Sequence, residues 1–414
     1  MTERGGNRIA VLGFGDIQGS RGARVYLSGL VDALRGEGDD VRAVFLQQSV
    51  PGAAHGRDDD APFEVVAPPL RGAAGRLPVA GWRLYEMAWA NWRAWRAARA
   101  EARRDTCVVV GPGLLPLAPL LRAAYRTCAY VHHGIAEEFL LTGRKVDRLK
   151  FAMNKALERR FLKRFDAVVV VSERMAEYCR REYRVRRAIV IPCGVDLSRF
   201  PDRARERAAL RRAAGLSDRF VFAYSGGAAT WQCVDETVRF YRLARARVPQ
   251  AFLLVLSPDA TAWRRALAGF DPAAYRVATV PHAEVGRHLA AADAAFLLRK
   301  RSVINEVSAP VKFAEYLACG VPVVTSPHVG DYSSLVLARR VGVVMEPEDE
   351  TTWPAACDGV VALAQEADAR ARCRAVAETL AWTALAPRFR AALEDGRAGV
   401  PASARPSPES PGRT

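Results

Sequence analysis

Short apolar runs bounded by turn residues recur along the chain at intervals that leave room for one helix between each pair. Ile9–Leu12, Val41–Leu46, Cys107–Val110, Ala129–Val131 and Ala167–Val171 form a first series. Runs with little polar alternation mark strands covered on both faces, since a strand with one solvated face alternates apolar and polar residues. Helices supply that cover. In Ala23–Leu34, after the candidate cap Ser20, residues Tyr26, Leu27, Leu30, Val31 and Leu34 keep a 3.6-residue period. Strand and helix in alternation specify a parallel sheet. After Pro192-Cys193-Gly194-Val195-Asp196 a second series begins with Phe220–Tyr224, Phe252–Leu256, Arg276–Val280, Ala294–Leu298, Val321–Thr325 and Val341–Val344. The 414 residues also exceed the roughly 250–300 that one hydrophobic core supports. The expectation is an α/β protein of two doubly wound domains, 1–195 and 196–396, whose last helix could return to the first domain. Residues 397–414, rich in Pro, Ser, Gly and Arg, are expected to be disordered.

With 50% hydrophobic and 26% charged residues the chain falls in the globular class. No run approaches the roughly 18 apolar residues of a membrane-spanning helix. The first strand begins almost at once, at Arg8-Ile9-Ala10-Val11-Leu12, with no leader pattern ahead of it, so a cytoplasmic protein is expected. Eight cysteines without a C-x-x-C pair read as buried, reduced thiols, and no metal site is expected. The net charge of +16 suits nucleic acid, nucleotide diphosphates or anionic lipid, or it reflects only solvated Arg-rich faces. A nucleic-acid-binding protein would interleave its basic residues with aromatics or carry a binding module. No such module is found, and no nucleic-acid partner is expected.

The segment Arg299-Lys300-Arg301 through Pro322 carries the strongest chemical signal. It leaves a buried strand at its C-terminal end, where doubly wound sheets bind ligands. Pro310 opens a helix with Lys312 in its first turn. A cation there opposes the helix dipole, so Lys312 either faces a phosphate or is simply solvated. Glu315, one turn on, either accepts ribose hydroxyls or pairs with Lys312. A second segment, Tyr224-Ser225-Gly226-Gly227-Ala228-Ala229-Thr230-Trp231-Gln232, leaves another buried strand, and its two glycines would let backbone amides approach a phosphate. Its spacing is neither G-x-x-x-x-G-K-[ST] nor G-x-G-x-x-G.

Together with Ile191-Pro192-Cys193-Gly194-Val195-Asp196 and Phe200, these segments resemble the retaining GT-B glycosyltransferases of family 4, with Asn305, Ser308, Pro310, Lys312, Phe313, Glu315, Tyr316, Leu317, Ala318, Gly320 and Pro322 in the principal block. The resemblance implies two Rossmann-like domains facing a cleft. It also implies a nucleotide-diphosphate sugar as co-substrate in the second domain, an acceptor (glycan, lipid-linked glycan or small molecule) in the first, and neither a metal nor a cofactor. Lys312 and Arg299 would act on the diphosphate and Glu315 on the ribose, with Ser225, Gly226, Gly227, Asn305, Ser308 and Pro310 lining the donor. Pro281 and His282 would contact the base through backbone atoms. The family's E-x7-E element would place its first Glu at 307, where this chain has Val307 with Glu306 one residue out of register. Gln232 follows Trp231 where the family has a basic phosphate residue, and Arg299 or Arg301 is expected to compensate.

In the first domain, Gly13-Phe14-Gly15-Asp16-Ile17-Gln18-Gly19 follows the first strand, and Gly15 and Gly19 resemble the family loop facing the donor phosphate. His132 and His133 end another strand. His133, beside Gly134, is the candidate acceptor contact, the alternative being a structural histidine. The silent alternative for the whole chain is a GT-B scaffold that binds nucleotide-sugar without turnover. Residues 144–164 carry nine Lys/Arg against two acids, with Leu149, Phe151, Met153, Leu157, Phe161 and Leu162 among them. Tyr85, Trp89 and Trp92 share one helix face, with Trp95 at its border. Both segments either pack on the sheet, with the tryptophans in the core, or meet an anionic membrane as a peripheral surface at the inner face of the cell membrane.

Overall fold

A computed structural model describes residues 7–15, 21–47, 63–66, 79–100 and 105–398. The first sheet has seven parallel strands, β1 (Arg8–Gly15), β2 (Asp40–Gln47), β3 (Glu64–Val66), β4 (Thr106–Val110), β5 (Thr127–His132), β6 (Ala167–Val170) and β7 (Ala188–Val190), in the order β3-β2-β1-β4-β5-β6-β7. The second has six, β8 (Phe220–Ser225), β9 (Ala251–Leu256), β10 (Tyr275–Ala278), β11 (Ala294–Leu297), β12 (Val323–Thr325) and β13 (Gly342–Val344), in the order β10-β9-β8-β11-β12-β13. Every strand pair is parallel, so every connection is a crossover, and helices cover both faces. In each sheet the strand order reverses beside the first strand, between β1 and β4 and between β8 and β11. Crevices at such switch points, outside the C-terminal strand ends, are where this architecture holds ligands.

All eleven apolar runs become strands. The two further strands, β3 and β7, are three residues long and lie at the edges of their sheet, too short to show a run. The eight cysteines are buried and unpaired. Among the described residues no helix is long and apolar enough to cross a membrane.

The helix Trp382–Ala398 does return to the first sheet. Its start is stitched to the linker, Trp382 N–H donating to Val195 O and Val195 N–H to Leu380 O. The Trp382 indole then packs where Gly29 and Gly194 leave room, since a Cβ at Gly29 would lie 1.9 Å from Trp382 Nε1. Arg390 reaches Asp39, and Glu394 accepts from Asn7. The helix continues to Ala398, beyond the expected start of the tail at 397, and residues 399–414 lie outside the described residues.

Two helices depart from expectation in which face they bury. Val79–Ala100 packs through Ala90, Ala94 and Ala98, all essentially inaccessible, while Trp92 is half exposed and Tyr85, Trp89 and Trp95 lie on its flanks. Alanine at i, i+4 and i+8 lets the helix axis come close, which tryptophan would prevent. The tryptophans are therefore not the core face. Lys145–Phe161 is more unusual, because it buries Asp147, Asn154, Lys155 and Glu158 and leaves Leu149 64% exposed. Its polar residues face inward because partners wait there. Lys155 Nζ meets Glu137 Oε1 at 2.6 Å and the Tyr178 hydroxyl, and Tyr183 donates to Glu158.

Candidate active site

The segments leaving the C-terminal ends of the two sheets meet. Ser172, just beyond β6, donates through Oγ to Val307 O (2.7 Å), just beyond the short helix Val303–Glu306 that follows β11. Asp331 of the second sheet's side accepts from the backbone N–H groups of Glu173 and Arg174, which open the helix Glu173–Tyr183. A carboxylate at that helix N-terminus satisfies two of its free donors and complements the dipole. Val307 itself is buried, so the position of the family's first Glu is here a core position. Glu306 turns the other way, towards Arg301 (3.6 Å) and His328 (3.9 Å).

On the second sheet's side, Pro310 caps the helix Val311–Ala318 and Lys312 sits in its first turn. Lys312 Nζ lies 4.5 Å from the Tyr224 ring centroid and donates to Gln232 Oε1 (3.0 Å) and to Tyr224 Oη (3.4 Å). Arg299, 5% exposed, donates through Nη1 to the same Gln232 Oε1 (2.7 Å) and to Leu298 O. Both neighbours of that amide are pure donors, which fixes its oxygen towards them. Among the described residues neither cation has a carboxylate within salt-bridge distance. Enclosure by protein, and then the Arg299 charge, hold the Lys312 ammonium well below the usual lysine range, and burial lowers Arg299 as well. Two cations sharing one neutral acceptor are an arrangement whose charge an anion would complete.

Glu315, nearly buried, does not pair with Lys312 and accepts instead from or opposes His282 Nε2 at 2.9 Å, depending on the tautomer. Pro281 caps the helix His282–Leu289, so His282 contributes its ring to the site and packs edge-on to Phe200. The sequence reading gave His282 a backbone role only.

Three expectations need correction. Arg301 does not join Lys312: its side chain is 73% exposed and faces Glu306, so Arg299 alone supplies the second cation. The glycine loop does not present a free amide row, because Ser225 N–H donates to Tyr316 Oη, Gly226 N–H to Leu256 O and Ala228 N–H to Asp259. Its glycines supply space instead. Gly226 has φ of +127°, and a Cβ there would lie 2.7 Å from Lys312 Nζ. Asn305 and Ser308 are likewise turned to their own loop, Asn305 Nδ2 donating to Lys300 O and Ser308 Oγ to Asn305 O. They shape that loop from within.

Across the crevice, His133 follows β5, keeps partial exposure and stacks on Tyr26 with ring centroids 6.4 Å apart. Burial pushes its imidazole down to about 4, and its Nδ1 has no hydrogen-bond partner among the described residues. His132 is fully buried and pushed down to about 3, first by burial and then by His133 and Lys155. Gly15, with φ of +154°, ends β1, and Gly19 lies outside the described residues. Tyr224, Ser172 and Asp331 were not singled out by sequence, since a lone hydroxyl or carboxylate carries no pattern, and Gln232 was noted only as the place of a missing basic residue. Among the described residues no group of three or more His, Cys, Asp or Glu could hold a metal ion.

Two facing parallel sheets with an acid-free cation pair at one switch point define a two-lobed GT-B protein. Residues 20–199 match the family model described as Glycosyltransferase Family 4. Among solved structures it is similar to a sucrose-phosphate synthase from Thermosynechococcus elongatus, at 17% identity and a TM-score of 0.67 over 95% of this chain and all of the other. It is also similar to HepE from Anabaena in complex with UDP-glucose, at 16% identity and 0.66 over 94% and 99%. WaaG, a glycosyltransferase involved in lipopolysaccharide biosynthesis, matches at 16% and 0.63 over 93% and 98%. These likenesses establish the fold. No curated protein matches the sequence.

Proposed function

We propose that the chain transfers a sugar from a nucleotide-diphosphate donor to an acceptor with retention of configuration, without a metal ion. The observation that carries this reading is the Arg299–Lys312 pair, held on Gln232 with no carboxylate within salt-bridge distance among the described residues and with Glu315 one helical turn on. A diphosphate would complete the cations' coordination, and Glu315, on the same helix, would take the ribose hydroxyls. The UDP-glucose bound by HepE supports a nucleotide-sugar as the donor class. In transfer, the bond between the anomeric carbon and the leaving phosphate oxygen breaks while the acceptor oxygen bonds to that carbon on the same face. The acceptor proton passes to the departing diphosphate. Arg299 and Lys312 stabilise the charge that develops there, a contribution fixed in advance by folding. His133 faces the acceptor as a neutral imidazole, because burial disfavours its cation. Screening nucleotide-sugars by thermal shift and then by turnover, with and without EDTA, tests this. Binding without transfer to any acceptor would favour a silent scaffold, and turnover abolished by EDTA and restored by Mg²⁺ would remove the metal-free reading.

The acceptor, on this reading, is presented at an anionic membrane. The carboxylates Asp147 and Glu158 of helix Lys145–Phe161 are buried, so its outward face is basic, with Arg148 and Lys145 exposed beside Leu149 and the half-exposed Leu140 and Leu141. Each basic residue near such a surface is worth about 1 kcal/mol, enough in sum for reversible retention. Co-sedimentation at low salt should favour anionic over neutral vesicles, and charge reversal at Arg144, Lys145, Arg148 and Lys150 should abolish the preference. Equal binding to both vesicle types would reject it.

A further inference from the structure

Gln232 stands at an unusual point of the chain. Among the described residues only Arg184, Cys233 and Arg340 take positive φ without being glycine. Arg184 and Arg340 close helices, where the left-handed conformation is common. Cys233 instead precedes a helix, Val234–Arg247, with φ of 53° and ψ of 48°, a conformation unfavourable for a residue with a Cβ. It turns the chain from the short 3-10 turn Thr230–Gln232 into that helix. Trp231 is turned outward, 40% exposed, and Gln232 is turned into the crevice. There its amide oxygen is shared by Arg299 Nη1 at 2.7 Å and Lys312 Nζ at 3.0 Å, with the Tyr224 hydroxyl 3.1 Å away. Tyr224 donates to Gly227 O, closing the loop on itself.

A carboxylate at this point would compensate both cations, and an apolar side chain would leave them without a common acceptor. An amide does neither. It orders the two donors on one point in space through a neutral oxygen, and the point lies where an oxygen of an anionic ligand would have to sit to bond both.

We propose that Gln232 is a positioning residue of the donor site, whose amide oxygen occupies the place of a diphosphate oxygen between Arg299 and Lys312 and yields it when the donor binds. This rests on the reading of the cation pair as the diphosphate subsite. Displacing a neutral amide leaves both charges available to the ligand. Displacing a carboxylate would require breaking two ion pairs as well as the hydrogen bonds.

The test compares Gln232→Glu and Gln232→Met with the unaltered protein by calorimetry, using UDP and the other common nucleoside diphosphates together with the nucleoside matching whichever binds best. For Gln232→Glu the diphosphate affinity should fall roughly hundredfold with nucleoside affinity unchanged, and for Gln232→Met about tenfold, as the loss of charge-assisted or ordering contacts implies. A merely structural role would move nucleoside and diphosphate together, and that result overturns the proposal, as does unchanged diphosphate affinity in both variants. Should Gln232→Glu fail to fold, the uncharged Met variant alone decides by the same ratio. If no nucleoside diphosphate binds the unaltered protein, the diphosphate reading of the cation pair falls, which is a different failure.

Discussion

Two enclosed lysines, one in each half of the molecule, are equipped in opposite ways. Lys155, behind the first sheet, lies against Glu137, within 4.0 Å of Glu182, and over the rings of Tyr178 and Tyr183. Lys312, at the C-terminal edge of the second, has an amide, a phenol and a second cation around it. Burying an ammonium is costly unless an opposite charge is supplied. The fold gives Lys155 a carboxylate in direct contact and Lys312 only the more distant Glu315. The first arrangement holds structure together, and the second, on the proposed function, keeps an electrostatic demand that a ligand would meet.

The sharpest way to break the comparison is Lys155→Met. Removing one partner leaves Glu137 beside Glu158 and Glu182 in an enclosed site, a loss of about 3–5 kcal/mol of stability in urea unfolding, while nucleotide affinity stays unchanged. Reduced nucleotide affinity in the folded variant would erase the division of labour.

Lys312→Met should do the reverse. Because its pKa is depressed in the folded state, the lysine binds protons less readily there than when unfolded, so its contribution to stability improves as pH rises. The variant should be no less stable near neutrality, yet lose about 1.5–3 kcal/mol of diphosphate binding by calorimetry, and Glu315→Ala a similar amount of nucleotide binding. A bound diphosphate raises the Lys312 pKa, so affinity is full below the free-state pKa and falls as pH rises from there to the bound-state value. That slope should vanish in Lys312→Met.

A more gradual effect, small per pH unit, separates the halves by pH. His132 is held near 3 in the folded protein against an ordinary 6.5, so the unfolded chain takes up a proton first as pH falls. Stability should drop by about 1.4 kcal/mol for each pH unit between those values, and His132→Phe should flatten thermal unfolding over that window. The least effect is expected at Arg301→Ala, under about 0.5 kcal/mol in diphosphate affinity, since that side chain is solvated. A loss as large as that of Lys312 would return Arg301 to the site.

The sheet architecture was legible because each buried parallel strand writes an apolar run, and only the three-residue edge strands β3 and β7 escaped. Lys312, Glu315 and Arg299 were legible for a related reason, since charge beside a buried strand end is rare enough to notice. What could not be read was orientation. Arg299 and Arg301 are two residues apart and look alike in sequence, yet one is enclosed and the other solvated, because the chain has left β11 and bends at Arg301, so the shared face of an extended i, i+2 pair is lost. Gln232 was visible only as something missing, a basic residue not there. The Trp-bearing helix misled for the opposite reason, its large residues drawing attention from the alanines that do the packing.

The return of Trp382–Ala398 to the first sheet carries a consequence for synthesis. Domains emerging from the ribosome generally fold as units, the N-terminal one first. Here the first lobe lacks the indole that fills the gap at Gly29 and Gly194, and the partners of Asn7 and Asp39, until a segment that follows all thirteen strands has been translated. Its surface over helix Arg21–Gly36 stays uncovered throughout production of the second lobe, and the nascent first lobe acquires its final seal only when the second is already made. A ribosome that stalls before Trp382 releases a chain with both sheets and an open seam.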